Sequence, residues 1–312
     1  GLMTEPAVFP TGESPEITIT SVSGDLRLTG WDQNQFLAES DDETLIAEQK
    51  GDAVAVVCHS DCAVRVPHRS RVKILQVGGD ARIKTIESPI AVESVAGDLV
   101  LRSLGDVDLG KVGGDVSAKK IQGGLRVKFA AGDLSARGVA GDFLAEAIGG
   151  DLYLRDVGGD IRAQCRADVI LNVEFTPEHE YEIKAGGDLA CRLLPGASAA
   201  FAVKFGGDLS VDVLAAKVTG SSREKTVTLG DGAARVSLQA SGDVSLSALS
   251  GDPEALGELG EKFGEDFGVM AEELSAHIGA QIELQMAEFE QQLNARLAGL
   301  GAVGGVGVNA DD

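Results

Sequence analysis

Asp133-Leu134-Ser135-Ala136-Arg137-Gly138-Val139-Ala140-Gly141 is one turn of a nine-residue beat that fills the middle of the chain. The slot held by Asp133 recurs as Asp80, Pro89, Asp98, Asp106, Asp115, Gly124, Asp142, Asp151 and Asp160, with a single one-residue slip. The residue after each slot is apolar (Leu99, Val107, Val116, Leu125, Leu134, Phe143, Leu152), and so is the one two places on (Leu101, Leu109, Ala118, Val127, Ala136, Ala145, Leu154). That alternation describes a strand with one buried face. A third apolar slot follows three residues later, as in Leu104, Val112, Ile121, Val139 and Ile148.

A nine-residue unit cannot bury its own stripe, but stacked units share one interior. The beat therefore predicts an all-β solenoid, a right-handed parallel β-helix with two units, about 18–20 residues, per coil. Gly-Asp marks the corners. Glycine permits positive φ there, and Asp98, Asp106, Asp115, Asp133, Asp142, Asp151 and Asp160 are expected to cap the turn by accepting a backbone N–H one or two residues on. After Arg166 the beat loosens. Asp188 and Asp208 are twenty residues apart, which predicts the same rod with longer corners.

Outward from this core, the sequence divides into a flexible start (1–14), an irregular β capping region (15–75), the regular β-helix (76–250), an amphipathic helix (253–300) and a flexible tail (301–312). Asp252-Pro253-Glu254 opens the helix, with Asp as cap and Pro in the first turn. Its apolar residues step by three and four, and Leu256, Phe267, Ile278, Phe289 and Leu300 recur every eleven residues, a stripe along a nearly straight helix. Gly260, Gly264 and Gly268 weaken an isolated helix by up to about 1 kcal/mol each, so the first half needs a packing partner, or it bends and breaks there. Phe263, Phe267, Met270, Leu274, Ile278 and Phe289 are the expected contact residues. They meet either a second copy or protein partner, the favoured reading, or the chain's own rod.

The 312 residues carry 49 Asp and Glu against 27 Lys and Arg, a net charge of −22. That balance disfavours nucleic acid and anionic membranes as partners. No apolar run reaches the length of a membrane span, and no basic-then-apolar leader is present, so a cytoplasmic location is expected unless a leader has been removed. Cys165 and Cys191 read as small core residues. Cys58 and Cys62 flank a predicted hairpin tip between Ala53–Val57 and Ala63–Val66. Reduced structural thiols are the favoured reading, with a disulfide or a zinc site using His59 or His68 as alternatives. The lone Trp31 is expected to plug the first coil.

The run from Val66-Pro67 through Ile74-Leu75-Gln76-Val77-Gly78-Gly79-Asp80, with Gly24-Asp25-Leu26-Arg27-Leu28-Thr29-Gly30-Trp31-Asp32 upstream, resembles the bacterial putative-adhesin family of β-helix domains across about residues 15–250. The resemblance implies a β-helix with no catalytic residues to carry over. A looser, architectural likeness is to the bactofilins, cytoplasmic β-helix proteins that polymerise end to end.

Calcium-binding nonapeptide repeats set the Asp one residue away from the anchor. Here it directly precedes the anchor, and most turns offer one carboxylate where calcium wants six to eight oxygens. No nucleophile elbow, zinc-protease or phosphate-loop motif occurs, and His179, in an acidic loop, has no convincing partner and reads as solvated. The resulting expectation is a non-enzymatic scaffold without cofactor that self-associates or docks a partner through 253–300. A ligand-binding adhesin-like surface is the alternative, and a polysaccharide enzyme the remote one.

Overall fold

The computed structural model describes residues 5–41, 45–248 and the single position 291. Apart from position 291, the expected helix 253–300, with its six contact residues, therefore lies outside the described residues, as does the tail 301–312. Two sheets, of 13 and 14 strands, face each other across one continuous apolar interior. Successive strands alternate between them, so each coil contributes one strand to each sheet: Leu99–Leu104 pairs in parallel with Val116–Ile121, and Val107–Val112 with Leu125–Ala130. The interior is stacked in register, Leu99 beside Val116, Val116 beside Leu134, and Leu134 beside Leu152.

Each six-residue strand turns positions one, three and six inward, as the apolar slots require. Simple alternation would place position five inside. One extra residue per strand resolves the conflict, and the two sheets handle it differently. In the 13-stranded sheet the fifth residue takes a left-handed conformation: Thr85, Ser103, Lys120, Gly138 and Asp156 have φ of 62°, 55°, 56°, 73° and 54°. For non-glycine residues that conformation costs roughly 1–2 kcal/mol. It recurs because each coil repeats its neighbour, so changing one would break register with both sides. No such residue occurs in the corresponding strands of the other sheet.

The corners work differently from the local cap that the sequence suggests. Each carboxylate reaches to the next coil. Asp98 Oδ1 accepts the Asp115 N–H at 2.7 Å, Asp115 the Asp133 N–H at 2.7 Å, and Asp133 the Asp151 N–H at 2.7 Å. The ladder is unbroken in space from Asp61 through Asp25, Asp80, Asp98, Asp115, Asp133, Asp151, Asp168, Asp188 and Asp243 to Asp208. On the opposite edge Asp106 serves Gly124, Asp142 serves Asp160, and Asp160 serves Glu180. Glycine precedes Asp for a related reason. The corner glycines do not have positive φ. A Cβ at Gly114, Gly132 or Gly150 would instead overlap the carboxylate of the coil before.

Stacked carboxylates about 4.8 Å apart repel by roughly 0.9 kcal/mol each in water. A hydrogen bond to a charged group contributes about 1.5–3 kcal/mol, so the ladder is net favourable where solvent reaches it. Where Asp115 and Asp151 are partly covered, burial first, then their carboxylate neighbours, raises their pKa above the ordinary carboxylate value, against the lowering effect of the accepted N–H.

Both ends depart from sequence order. At one end the coil formed by Ala53–Cys58 and Cys62–Pro67 lies outside the coil formed by Glu16–Val22 and Leu26–Trp31. Antiparallel strands then cover it: Ile46–Lys50 on one sheet, and Gln35–Ser40 with Ala7–Pro10 on the other. Ala7–Pro10 is thus a strand where a flexible start is expected, held by Phe9 stacked on Phe36 at 5.9 Å. Nor is Ala53–Val66 a hairpin. Its two strands belong to different sheets, because Cys58 and Cys62 both turn inward at a corner. At the other end, Ala234–Ala240 and Val244–Ala248 slip between the Tyr181–Ala185/Leu189–Leu193 coil and the Ala199–Phe205/Leu209–Asp212 coil. The twenty-residue spacing from Asp188 to Asp208 is therefore not one coil: Asp243 stands between them.

These contacts separate two kinds of substitution. Gly132→Ala should lower unfolding stability by about 1–3 kcal/mol through overlap, and Asp115→Ala by about 1–3 kcal/mol through the abandoned Asp133 N–H. Asp115→Asn, which keeps an acceptor oxygen, should lose less than half of that. Urea midpoints measure all three. An Asn variant as damaged as the Ala variant would mean that the N–H contact is not the stabilising element.

Candidate functional site

A groove of about 830 Å³ opens on the outside of the 14-stranded sheet, walled by Arg162, Tyr181, Thr226 and Arg235, with Asp142, Asp160 and His179 at one side. Its existence follows from the loosened repeat. The connection after Val169–Asn172 is pinned where Phe175 meets the Tyr181 ring edge-on at 4.8 Å and Phe201 at 5.5 Å, while Tyr181 Oη accepts the Thr176 N–H at 2.9 Å. The pinned loop carries His179 back to the previous coil, where its Nδ1 lies 3.1 Å from Asp160 Oδ1. Asp142 joins them. The ligand-type atoms of Asp142, Asp160 and His179 lie within 4.8 Å of one another, the one such trio among the described residues. Two carboxylates and an imidazole suit a transition-metal dication better than calcium. Sequence reasoning sets His179 apart because its partner is nineteen residues away; the acid that meets it is the Asp160 of the beat.

The Glu180 N–H, opposed by desolvation and reinforced by His179 and Arg162, holds the Asp160 carboxyl below the ordinary range. Its share of stability is thus present above the ordinary carboxylate pKa and lost as pH falls through the lowered value. Asp115 and Asp151 run the other way: their raised values favour the fold as pH falls through them. A carboxyl-carbon NMR titration should show Asp115 and Asp151 protonating before Asp160 as acid is added. Asp160 titrating first would contradict these environments.

Of the zinc candidates, Cys58 and Cys62 meet as a thiol pair, but neither His59 nor His68 joins them in a ligand cluster. His59 is exposed, and the His68 ring bonds the Trp31 carbonyl at 2.9 Å. Cys58 and Cys62 are free thiols buried at 0% and 2%. Hydrogen bonding from Cys62, assisted by Ser40 and opposed by burial, draws Cys58 down to about 5, while the same contact and burial push Cys62 up. Burial also raises Cys165, to about 12, and Cys191. All four are free and buried, so a thiol reagent should modify them in the native protein no faster than it unfolds; rapid native labelling of Cys58 would show that its corner opens. Trp31 is half-buried, its Nε1 donating to the Gln35 carbonyl at 2.8 Å under the Arg65 guanidinium.

The outer faces of the two sheets differ in charge. On the 14-stranded sheet acids and bases intermix and pair across coils, as in Lys73–Glu93 at 3.6 Å and Arg162–Glu182 at 3.8 Å. On the 13-stranded sheet the fourth strand position reads, in spatial order, Arg65, Thr29, Lys84, Arg102, Lys119, Arg137, Arg155, Asn172 and Arg192. Beside this row, the second position holds Ala63, Arg27, Arg82, Val100, Ser117, Ser135, Tyr153, Ile170 and Ala190, again with no acid. Val100, Tyr153 and Ile170 point away from the interior yet are only 9%, 8% and 6% exposed, and the Arg137 guanidinium lies 5.3 Å from the Tyr153 ring centre.

No family model matches the chain, and no curated protein does. Solved structures similar to it include one described as a putative adhesin from Bacteroides fragilis, at 10% identity over 78% of this chain and 96% of that one, with a TM-score of 0.29. A putative cell adhesion protein from Clostridium sporogenes matches at 8% identity, over 78% of this chain and 99% of that one, with a TM-score of 0.18. A putative adhesin from Parabacteroides distasonis matches at 11% identity, over 78% and 96%, with a TM-score of 0.28.

Proposed function

We propose that the chain is a non-enzymatic scaffold. The β-solenoid is a stiff spacer, and the amphipathic stretch 253–300 is the element through which the chain associates with a second copy or docks a protein partner. The observation that carries this reading is the carboxylate ladder from Asp61 to Asp208: the most regular acidic residues of the chain hold one coil to the next. The apolar stripe of 253–300 supports the second half, because an amphipathic helix in water gains most of its stability from what its apolar face packs against.

An adhesin-like ligand-binding solenoid is the second reading, favoured by the groove beside Asp142, Asp160 and His179. The two readings part on where association is lost. Light scattering of the full chain at micromolar concentration should give at least twice one chain's mass. Phe267→Asp/Ile278→Asp/Phe289→Asp, made in the full chain, should return it to a monomer with an unchanged β-sheet circular dichroism spectrum. A monomeric wild type overturns self-association, and a variant that associates as the wild type does moves the contact away from 253–300.

A further inference from the structure

We propose that Asp142, Asp160 and His179 hold a divalent transition-metal ion at the side of the groove, where it joins two neighbouring coils to the connection from Val173 to Glu180. The inference goes beyond the scaffold reading and does not depend on whether 253–300 associates.

Carboxylates one coil apart occur along the whole ladder, so a pair of them singles out no place. The imidazole sets this pair apart. Among the described residues, this is the one trio of ligand-type side chains whose ligand atoms all lie within 4.8 Å of one another. His179 Nδ1 stands 3.1 Å from Asp160 Oδ1. Two ligands on one ion, each about 2.1 Å from it, stand about 3.0 Å apart at right angles and about 3.4 Å apart in a tetrahedron. The two residues therefore already have the spacing of neighbouring ligands, and a small rotation of the Asp142 side chain completes the set. The ring is held there without help from an ion. Phe175 packs edge-on against Tyr181, and the Thr176 N–H donates to Tyr181 Oη, which fixes the loop that carries His179.

The ladder leaves room for this role. Asp142 Oδ1 accepts the Asp160 N–H at 2.8 Å, and Asp160 Oδ1 accepts the Glu180 N–H at 2.9 Å. A carboxylate oxygen has two acceptor sites. Asp160 Oδ1 thus keeps the Glu180 N–H while it meets the ion, and Asp142 offers Oδ2, which the ladder does not use. The ion stands where an Nδ1 proton would otherwise join the ring to Asp160, and the ring carries its proton on Nε2 instead.

Charge points the same way. The groove is lined by four acids, Asp142, Asp160, Glu180 and Glu182, against two bases, Arg162 and Arg235. With His179 neutral, two negative charges are left, and one dication cancels them. Arg162 pairs with Glu180 at 3.7 Å and Glu182 at 3.8 Å rather than with either aspartate. Imidazole beside carboxylates favours zinc over manganese, and both over calcium. All three residues line the groove, so three protein ligands leave positions on that side for water.

Manganese is the probe of choice, because it prefers oxygen and nitrogen donors to the buried thiols Cys58 and Cys62. Added in substoichiometric amount to the nitrogen-15-labelled full chain, Mn2+ should broaden the amide signals of Asp160, His179 and Glu180 first. Broadening spread evenly over the amides of Asp98, Asp115, Asp133 and Asp160 would overturn the proposal, as an acidic rod gathering cations without a site. Equimolar Zn2+ should restore the signals, and a tenfold excess of Ca2+ should not. Displacement by calcium as readily as by zinc would also overturn it. Electron paramagnetic resonance of free Mn2+ should give one tight site per chain, with Kd raised at least tenfold by Asp142→Asn and by His179→Ala. Asn keeps an acceptor for the Asp160 N–H, so that variant separates the charge lost to the ion from damage to the ladder. Unchanged binding in either variant, or an equal loss in His59→Ala, would overturn the assignment. None of these readouts depends on oligomeric state, so a monomeric wild type overturns self-association and leaves this inference standing.

Discussion

The contact on which the rest depends joins a carboxylate to the peptide N–H one coil further along. It spaces the coils, fixes which residue faces which, and supplies a partner for a corner N–H that no strand serves. Its demand on the neighbouring position is steric. At most coils the approach is close enough that the preceding residue lacks a Cβ, which makes Gly-Asp one unit of meaning; Ala167 before Asp168 and His179 before Glu180 are the exceptions. Gly124 shows the limit of this rule. It occupies a carboxylate slot, receives the Asp106 oxygen, and passes nothing on to Asp142. One side of the solenoid therefore has an interrupted ladder, and the other an unbroken one.

With the coils fixed in this way, the two outer faces are free to diverge. One mixes charges and pairs them internally. The other collects bases along a line, interrupted at Thr29 and Asn172. The groove arises where the beat fails: a longer connection, pinned by Phe175 and Tyr181, swings His179 over a carboxylate of the regular ladder. Regularity builds the support, and departures from it place the chemistry.

Much of this architecture was legible in the sequence, because the apolar slots at positions one, three and six are a direct record of burial. Leu134, Ala136 and Val139 could be assigned to the interior from their spacing alone. The role of Gly-Asp was legible only in part. Local turn chemistry explains the residue types equally well, and nothing in a single unit reveals that its acceptor serves the next coil. The left-handed fifth position was invisible, since Thr85, Ser103 and Lys120 share no side-chain property that marks it. His179 was visible as a residue but not as a neighbour of Asp160. The order of the terminal coils was hidden too, because Asp188, Asp208 and Asp243 look alike and only pairing in space shows which two touch.

That order constrains how the chain can be assembled. The coil made by Ala234–Ala240 and Val244–Ala248 is synthesised after both coils it separates. The coil from Ala199 to Asp212 cannot settle in its final place until the later one has emerged and slid in beneath it. A growing chain thus carries an unfilled berth at that end, and its closing step resembles setting a keystone rather than adding another brick.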